Sequence, residues 1–199
     1  LFFLLSLPFR PRPWYTGKKA LSPAILSAKE VSPLEAIICI QPDPPRFDAI
    51  PTYKITCYPL EKRDYKPFAQ AQVCLAPGEL WLRLWAFEAR PRPGSQVEAV
   101  LAPGEGAGLV RLSARADGSW RCVWRRPDGE EEPLEAAVRP MAGDDFQGEY
   151  WGVSAALPRP RVEQALGPLE AGSVVLGNFY KRSRDPDKPH HGSCWPADF

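Results

Sequence analysis

The sequence predicts an all-β domain, an antiparallel β-sandwich of the jelly-roll or immunoglobulin-like kind with one short helix. Apolar and polar residues alternate along many short segments, and alternation is the period of a half-buried strand. Turn residues separate these segments at intervals of about eight to twelve residues, as in sandwiches and barrels. The chain of 199 residues contains 24 prolines, which are excluded from helix interiors and central strands. This length favours a single domain with one core.

The charge of the chain is unevenly distributed. Residues 1–33 carry a net charge of +4, which leaves −3 for residues 34–199 out of a total of +1. The apolar run at residues 1–9 is too short to span a bilayer, and two readings stay open: the tail of a secretory signal, or residues upstream of the true start. We therefore predict a poorly ordered extension over residues 1–33 and a single sandwich domain over residues 34–199.

The elements follow from the alternation in chain order. The predicted strands cover residues 35–40, 53–58, 68–75, 79–88, 95–101, 109–114, 120–125, 134–138 and 148–157. A last strand begins near Gly172 and leads into a polar loop that ends at Trp195. Both faces of the segment 79–88 carry large apolar groups, which indicates a central strand. The spacing of Val162, Ala165 and Leu166 predicts a helix over residues 159–166, with Gly167 as its stop.

Composition excludes several classes of partner. The net negative charge of residues 34–199 argues against a nucleic-acid binder, and no segment is long enough to predict a membrane partner. The five cysteines have no paired spacing, so we expect buried thiols and slightly favour a cytoplasmic protein over a secreted one.

Catalytic and metal-binding motifs are missing from the sequence. There is no phosphate-binding glycine loop, no G-x-S-x-G and no H-E-x-x-H, so we predict that the protein is not an enzyme. His190 and His191 are adjacent and would point in opposite directions on an extended chain, which argues against a shared metal ion. The run Glu130-Glu131-Glu132 reads as a solvated turn.

A resemblance to a known family rests on several segments in order. They are Ser95-Gln-Val-Glu-Ala-Val-Leu, Arg115-Ala-Asp-Gly, Tyr150-Trp-Gly-Val-Ser-Ala-Ala-Leu-Pro, Gly177-Asn-Phe-Tyr-Lys and His191-Gly-Ser-Cys-Trp-Pro. Over residues 50–199 this pattern resembles the family 9 carbohydrate-binding modules. The resemblance implies two antiparallel sheets that hold a glycan end between aromatic side chains, often with structural calcium. Because no acidic cluster is evident, we predict no cofactor.

Sugar chemistry indicates which residues would form a site. A pyranose ring has C–H groups on one face and hydroxyls at its rim, so it needs an aromatic plate with polar groups beside it. The candidate plates are Trp85, Trp151, Tyr180 and Trp195, and the candidate polar partners are Glu88, Asn178, Lys181 and Arg182. We predict a non-catalytic carbohydrate-binding site at the end of the sandwich formed by residues 178–195 and the strand that contains Trp85.

Two alternatives remain open from the sequence. One is a β-sandwich interaction or structural domain that has lost sugar binding. The other is a small glycoside-acting hydrolase, which would need two carboxylates about 5–10 Å apart across a cleft. Exposure of the Trp195 ring to solvent would support the sugar-binding hypothesis, and burial would count against it. Most tryptophans in such a domain fill the core between the sheets.

Overall fold

The computed structural model describes residues 3–6, 35–62, 66–92, 94–187 and 189–197. Two mostly antiparallel sheets pack face to face in these residues, with one α-helix beside them. The predicted sandwich with one short helix is therefore confirmed. The helix, α1, spans Arg159–Leu166 and buries Val162, Ala165 and Leu166, the three residues whose spacing predicted it.

The first sheet contains eight strands among the described residues. Their bounds are β1 Phe3–Ser6, β2 Glu35–Ile37, β7 Gln96–Ala102, β8 Leu109–Arg115, β9 Trp120–Arg125, β10 Glu131–Pro133, β13 Val174–Ser183 and β14 His190–Ser193. The spatial order is β10-β9-β8-β7-β13-β1-β2, and β14 pairs with the far end of β13. Thus β13 joins the strands β7–β10 on one side to β1, β2 and β14 on the other.

The second sheet contains six strands. They are β3 Cys39–Ile40, β4 Tyr53–Ile55, β5 Ala69–Leu75, β6 Glu79–Phe87, β11 Ala137–Asp145 and β12 Gly148–Pro158. The order is β11-β12-β6-β5-β3, with β4 also paired to β5. The strand β6 is central, as its apolar residues on both faces predict.

Alternation explains where the core lies. In β6 every second residue is buried, and these buried residues are Leu80, Leu82, Leu84 and Ala86. They meet inward residues of the opposite sheet in one core cluster that includes the fully buried Phe179. Side chains at the intervening positions therefore lie on the outer faces of the sandwich.

Two elements differ from the sequence prediction. The single strand predicted over residues 134–138 is replaced by β10 and β11, which lie in different sheets. Most residues of β11 are exposed, and its last two residues are aspartates. The strand therefore lacks the apolar alternation from which a strand can be predicted. The polar loop predicted before Trp195 contains β14, a strand of four residues with adjacent histidines.

The N-terminal strand lies before the predicted domain boundary at residue 33. Phe3–Ser6 pairs antiparallel with β13 and parallel with β2, so its backbone belongs to the eight-stranded sheet. The other residues of the predicted extension over residues 1–33 lie outside the described residues.

The described residues include no helix of the length and apolar character that a bilayer crossing requires. All five cysteines are free thiols. Burial raises the pKa of Cys74 and Cys122 to about 12, so both side chains are uncharged members of the interior.

Gly152 allows β12 and β6 to approach closely beside Trp85. A Cβ at Gly152 would lie 2.2 Å from the carbonyl oxygen of Leu84 and 2.6 Å from the Cβ of Trp85. Gly152→Ala should therefore lower the free energy of unfolding by about 1–3 kcal/mol, because the strands must separate locally. Urea unfolding would measure the change. Gly78→Ala is the matched control, since a Cβ there meets nothing within 4 Å, and equal losses in the two variants would contradict the prediction.

Candidate functional site

Three of the predicted site residues come together inside one end of the sandwich. The Nζ of Lys181 lies 3.2 Å from the Oε2 of Glu88, and the two side chains are 0% and 5% exposed. The Nε1 of Trp151 donates to the same carboxylate oxygen at 2.9 Å. We call Glu88, Ser95, Trp151, Lys181 and His190 the buried polar group.

The remaining members complete the hydrogen bonds of this group. The hydroxyl of Ser95 donates to Glu88 at 2.7 Å and accepts from the Nζ of Lys181 at 2.5 Å. The Nε2 of His190 lies 3.1 Å from the same Nζ. An ammonium can only donate, so this ring nitrogen supplies the lone pair.

The ionisation of Lys181 is set by two opposing causes. Burial lowers the pKa of Lys181, and the Glu88 carboxylate partly offsets that effect. A buried charge is tolerated only when it is paired and hydrogen-bonded. Here Glu88 supplies the opposite charge, and Ser95 and His190 accept hydrogen bonds from the ammonium. The polar atoms of Glu88, Trp151 and Lys181 are thus directed at one another inside the protein, while their role as ligand contacts stays a prediction.

Asn178 holds the segment that carries Trp195. Its Nδ2 donates to the carbonyl oxygen of Trp195 at 3.0 Å, and its Oδ1 accepts from the backbone N–H of Trp195 at 3.3 Å. The indole of Trp195 is half-buried against the core and meets Tyr53 at 5.5 Å and 48°, a tilted contact. These two rings are neither parallel nor interlocked deep in the core.

Tyr180 and Trp85 lie apart from the buried polar group. Tyr180 is 7% exposed, and the guanidinium of Arg182 lies 4.6 Å from the centre of its ring. Trp85 alternates with the buried Leu84 and Ala86, so its ring is on the outer face of the six-stranded sheet. The structure does not bring the seven predicted residues into one site.

An open depression of about 540 Å³ lies on the outer face of the eight-stranded sheet. It spans β7, β8, β9, β13 and β14 at the end of the sheet beside the hairpin of residues 116–119. Five arginines line it: Arg111, Arg115, Arg121, Arg182 and Arg184. Trp120, which is 46% exposed, also lines it.

Polar side chains occupy the strands between these arginines. Glu98 accepts from the Nε2 of Gln96 at 2.8 Å and lies 3.7 Å from the guanidinium of Arg182. Ser113 on β8 lies directly opposite Glu98 in the sheet register. His191 lines the other side, opposite Arg182. The depression therefore offers both donors and acceptors to a ligand.

The glutamates at the start of β10 are not the solvated turn that the sequence predicts. One carboxylate, that of Glu131, binds both Arg111 at 2.6 Å and Arg121 at 2.9 Å. Glu132 in turn binds Arg126 at 2.6 Å and Arg161 at 2.9 Å. The turn prediction failed because the arginine partners are distant in sequence and adjacent only once β8, β9 and β10 have paired.

Hydrogen bonding and burial, with smaller contributions from nearby charges, shift the pKa of two residues in the depression. The hydroxyl and backbone N–H of Ser119 lower the pKa of Asp117, with a smaller contribution from Arg115. Burial lowers the pKa of His191, and the positive charges of Arg182 and Arg184 lower it further. Asp117 is therefore held as a carboxylate and His191 as a neutral ring near pH 7.

The depression and the buried polar group lie on opposite sides of the same strands. Lys181 points inward and Arg182 outward, and His190 and His191 have the same relation. Alternation produces this arrangement, since successive side chains of a strand leave opposite faces. The sequence predicts Lys181 and Arg182 as polar partners in one site, and of the two Arg182 lines the depression.

Sequence reasoning missed most of the depression, although a partial signal was present. The polar residues of β7 and β8 stand at alternate positions, namely Gln96, Glu98, Arg111, Ser113 and Arg115. That pattern marks a polar outer face for each strand. It does not show that the two faces adjoin, nor that β13 lies beside them.

No metal site is evident where the structure describes the chain: these residues include no group of three or more His, Cys, Asp and Glu side chains that could hold an ion. His190 belongs to the buried polar group and His191 to the depression. Their separation follows from the strand geometry that argued against a shared ion.

The fold and the depression together define a β-sandwich with an open polar face. A crystal structure of a putative carbohydrate-binding protein from Bacteroides uniformis has the same architecture. It is 18% identical in sequence, covers 76% of this chain and 79% of its own, and gives a TM-score of 0.58. This likeness establishes the fold.

Two further solved structures are family 9 carbohydrate-binding modules from Caldicellulosiruptor kristjanssonii. The complex with cellotriose is 10% identical over 74% of each chain, with a TM-score of 0.48. The complex with glucose is 9% identical over 74% of this chain and 75% of its own, with a TM-score of 0.45. They belong to the family that the residue pattern resembles. The likeness that establishes the fold of this chain is the one to the Bacteroides protein.

No protein-family model matches the sequence. No curated protein matches it either.

Removing the charge of Glu88 tests the buried polar group. Glu88→Gln leaves the buried ammonium of Lys181 without its counter-ion and should cost about 3–5 kcal/mol of unfolding free energy. The double variant Glu88→Gln/Lys181→Met removes both charges and should recover much of that loss. Urea unfolding of the two variants and the wild type would measure both effects.

The pH dependence of Glu88→Gln follows from the same ammonium. Without Glu88, the folded-state pKa of Lys181 falls further below the unfolded value of about 10.4. The penalty is complete below the folded-state pKa and disappears as pH rises toward the unfolded one, so stability should rise with pH between them. A double variant no more stable than Glu88→Gln alone would contradict this account.

Proposed function

We propose that the protein is a non-catalytic carbohydrate-binding domain and that the depression on the eight-stranded sheet is its binding site. The observation that carries the proposal is an open depression of about 540 Å³ lined by paired donors and acceptors. Its volume falls in the range of about 300–1,000 Å³ that is typical of small-ligand sites. The fold shared with a putative carbohydrate-binding protein also supports it.

The chemistry of the lining suits a polyhydroxylated ligand. Sugar hydroxyls both donate and accept, and the depression presents guanidinium donors beside the Glu98 carboxylate, the Gln96 amide and the Ser113 hydroxyl. Trp120 supplies exposed apolar surface at the first position of β9. A flat apolar group beside fixed polar groups is what a pyranose ring requires.

The carboxylates of the depression favour binding over hydrolysis. A glycosidase needs one carboxylic acid with a raised pKa to protonate the leaving group. The pKa of Asp117 is lowered by its bonds to Ser119, which is the opposite of what a catalytic acid needs. The proposal requires no metal, because the side chains themselves supply the donors and acceptors.

The residues predicted from sequence take a different place in this proposal. Glu88, Trp151 and Lys181 brace the inner side of the strands whose outer side binds the sugar. Asn178 fixes the segment that leads to Trp195. Aromatic stacking on Trp85 or Trp195 would form a second site, away from the depression.

Blocking the depression tests the proposed site. Isothermal titration calorimetry with neutral and acidic mono- and disaccharides should detect binding to the wild type at millimolar concentrations. Ser113→Tyr places a ring in the middle of the depression and should weaken that binding by at least about tenfold. Ala137→Tyr, at an exposed position of β11 in the other sheet, should leave the affinity unchanged.

Other outcomes would reject parts of the proposal. Absence of binding by every sugar in the panel would remove the carbohydrate function. If Ser113→Tyr bound sugar normally while Trp195→Phe lost affinity, the site would lie at the C-terminal loop, where the sequence predicts it. Unfolding midpoints of all variants would show whether each is folded.

A further inference from the structure

The depression has an excess of positive charge in a part of the chain that is negative overall. Residues 34–199 carry a net charge of −3. Five arginines nevertheless line this one surface together with two carboxylates, Glu98 and Asp117, and a third carboxylate, Glu131, pairs with two of the arginines. The local excess is therefore two positive charges, which is the opposite sign to the rest of the domain.

The carboxylates do not neutralise every arginine. The carboxylate of Glu131 binds two guanidiniums, and among the described arginines Glu98 forms an ion pair with Arg182 alone. In the described part of the chain, neither Arg115 nor Arg184 has an ion-pair partner within 4.0 Å. Both side chains are exposed at the end of the depression nearest the hairpin of residues 116–119.

A neighbouring residue responds to this positive charge. The guanidiniums of Arg182 and Arg184 add to burial in lowering the pKa of His191. The imidazole therefore stays neutral near pH 7 and can serve as a hydrogen-bonding group beside the two cations. The positive charge at this end of the depression therefore favours the binding of an anionic group.

The guanidinium group also limits the geometry of that charge. Its planar donors match the paired oxygens of a carboxylate or sulfate. A single sugar hydroxyl has one oxygen and cannot accept two parallel hydrogen bonds in this way. A neutral sugar would displace water from Arg115 and Arg184 without replacing it by an equally strong acceptor.

We propose that the ligand is an anionic saccharide, a pyranose bearing a carboxylate or a sulfate, whose oxyanion binds Arg115 and Arg184 while its hydroxyls bind Gln96, Glu98 and Ser113. This inference rests on the carbohydrate-binding function proposed above and specifies the ligand of the same depression. A carboxylate and a sulfate present the same paired oxygens to a guanidinium, and the experiment separates them.

The test compares sugars that differ only at one carbon. Calorimetric titration with glucuronate, glucose 6-sulfate and glucose should show at least about tenfold tighter binding of one or both charged sugars than of glucose. Added salt should weaken the binding of the charged sugars and leave that of glucose nearly unchanged. Which charged sugar binds better identifies the preferred oxyanion.

Charge-removing variants locate the contact. Arg115→Gln/Arg184→Gln should lower the affinity for the charged sugar by at least about tenfold and reduce its salt dependence, and should lower the affinity for glucose by much less. Arg125→Gln is the matched control, because Arg125 is an exposed arginine of β9 that does not line the depression. Arg115→Lys keeps the charge without the planar fork and should recover only part of the affinity.

The outcomes separate the inference from the proposed function. Equal affinities for glucose, glucuronate and glucose 6-sulfate would overturn the anionic preference and leave carbohydrate binding in place. Absence of binding by all three sugars would overturn both. Binding of acetate or a single-stranded DNA oligonucleotide as tightly as glucuronate would show a general anion site and would also overturn the inference.

Discussion

The structure depends on the pairing of two opposite charges inside the end of the sandwich. A lysine and a glutamate removed from water cost several kcal/mol each unless they meet one another and their remaining hydrogen bonds are satisfied. Glu88 follows β6 in one sheet and Lys181 lies on β13 in the other. Their ion pair therefore fixes how the two sheets meet at this end.

That constraint extends to the outer surface through the backbone. Ser95, Lys181 and His190 are held from inside, and the residues that directly follow them are Gln96, Arg182 and His191. Since these neighbours share a strand with the buried residues, their positions are set by the same hydrogen bonds. The outward side chains of the proposed site are therefore positioned by contacts inside the protein, which would lower the entropy lost on binding a ligand.

Much of the fold followed from the sequence because strand alternation is a local property. The bounds of β9 and α1 agree with the prediction, and β6 differs by one residue at its end. The proposed site could not be predicted in the same way. It needs the order β9-β8-β7-β13, which depends on pairings between distant segments, and residue type alone favoured Lys181 although its position on the strand turns it inward.

The two hydrogen bonds between the side chain of Asn178 and the backbone of Trp195 have a consequence for self-association. One edge of β13 faces β7, and three separate pieces of chain cover the other edge in succession. They are β1, the Cys194–Trp195 turn and β14. The side-chain amide satisfies both backbone groups of Trp195 as a neighbouring strand would, and the N–H of Cys194 donates to Phe179. The longest strand of this sheet thus presents no template for intermolecular β-addition, the usual first step of edge-to-edge aggregation.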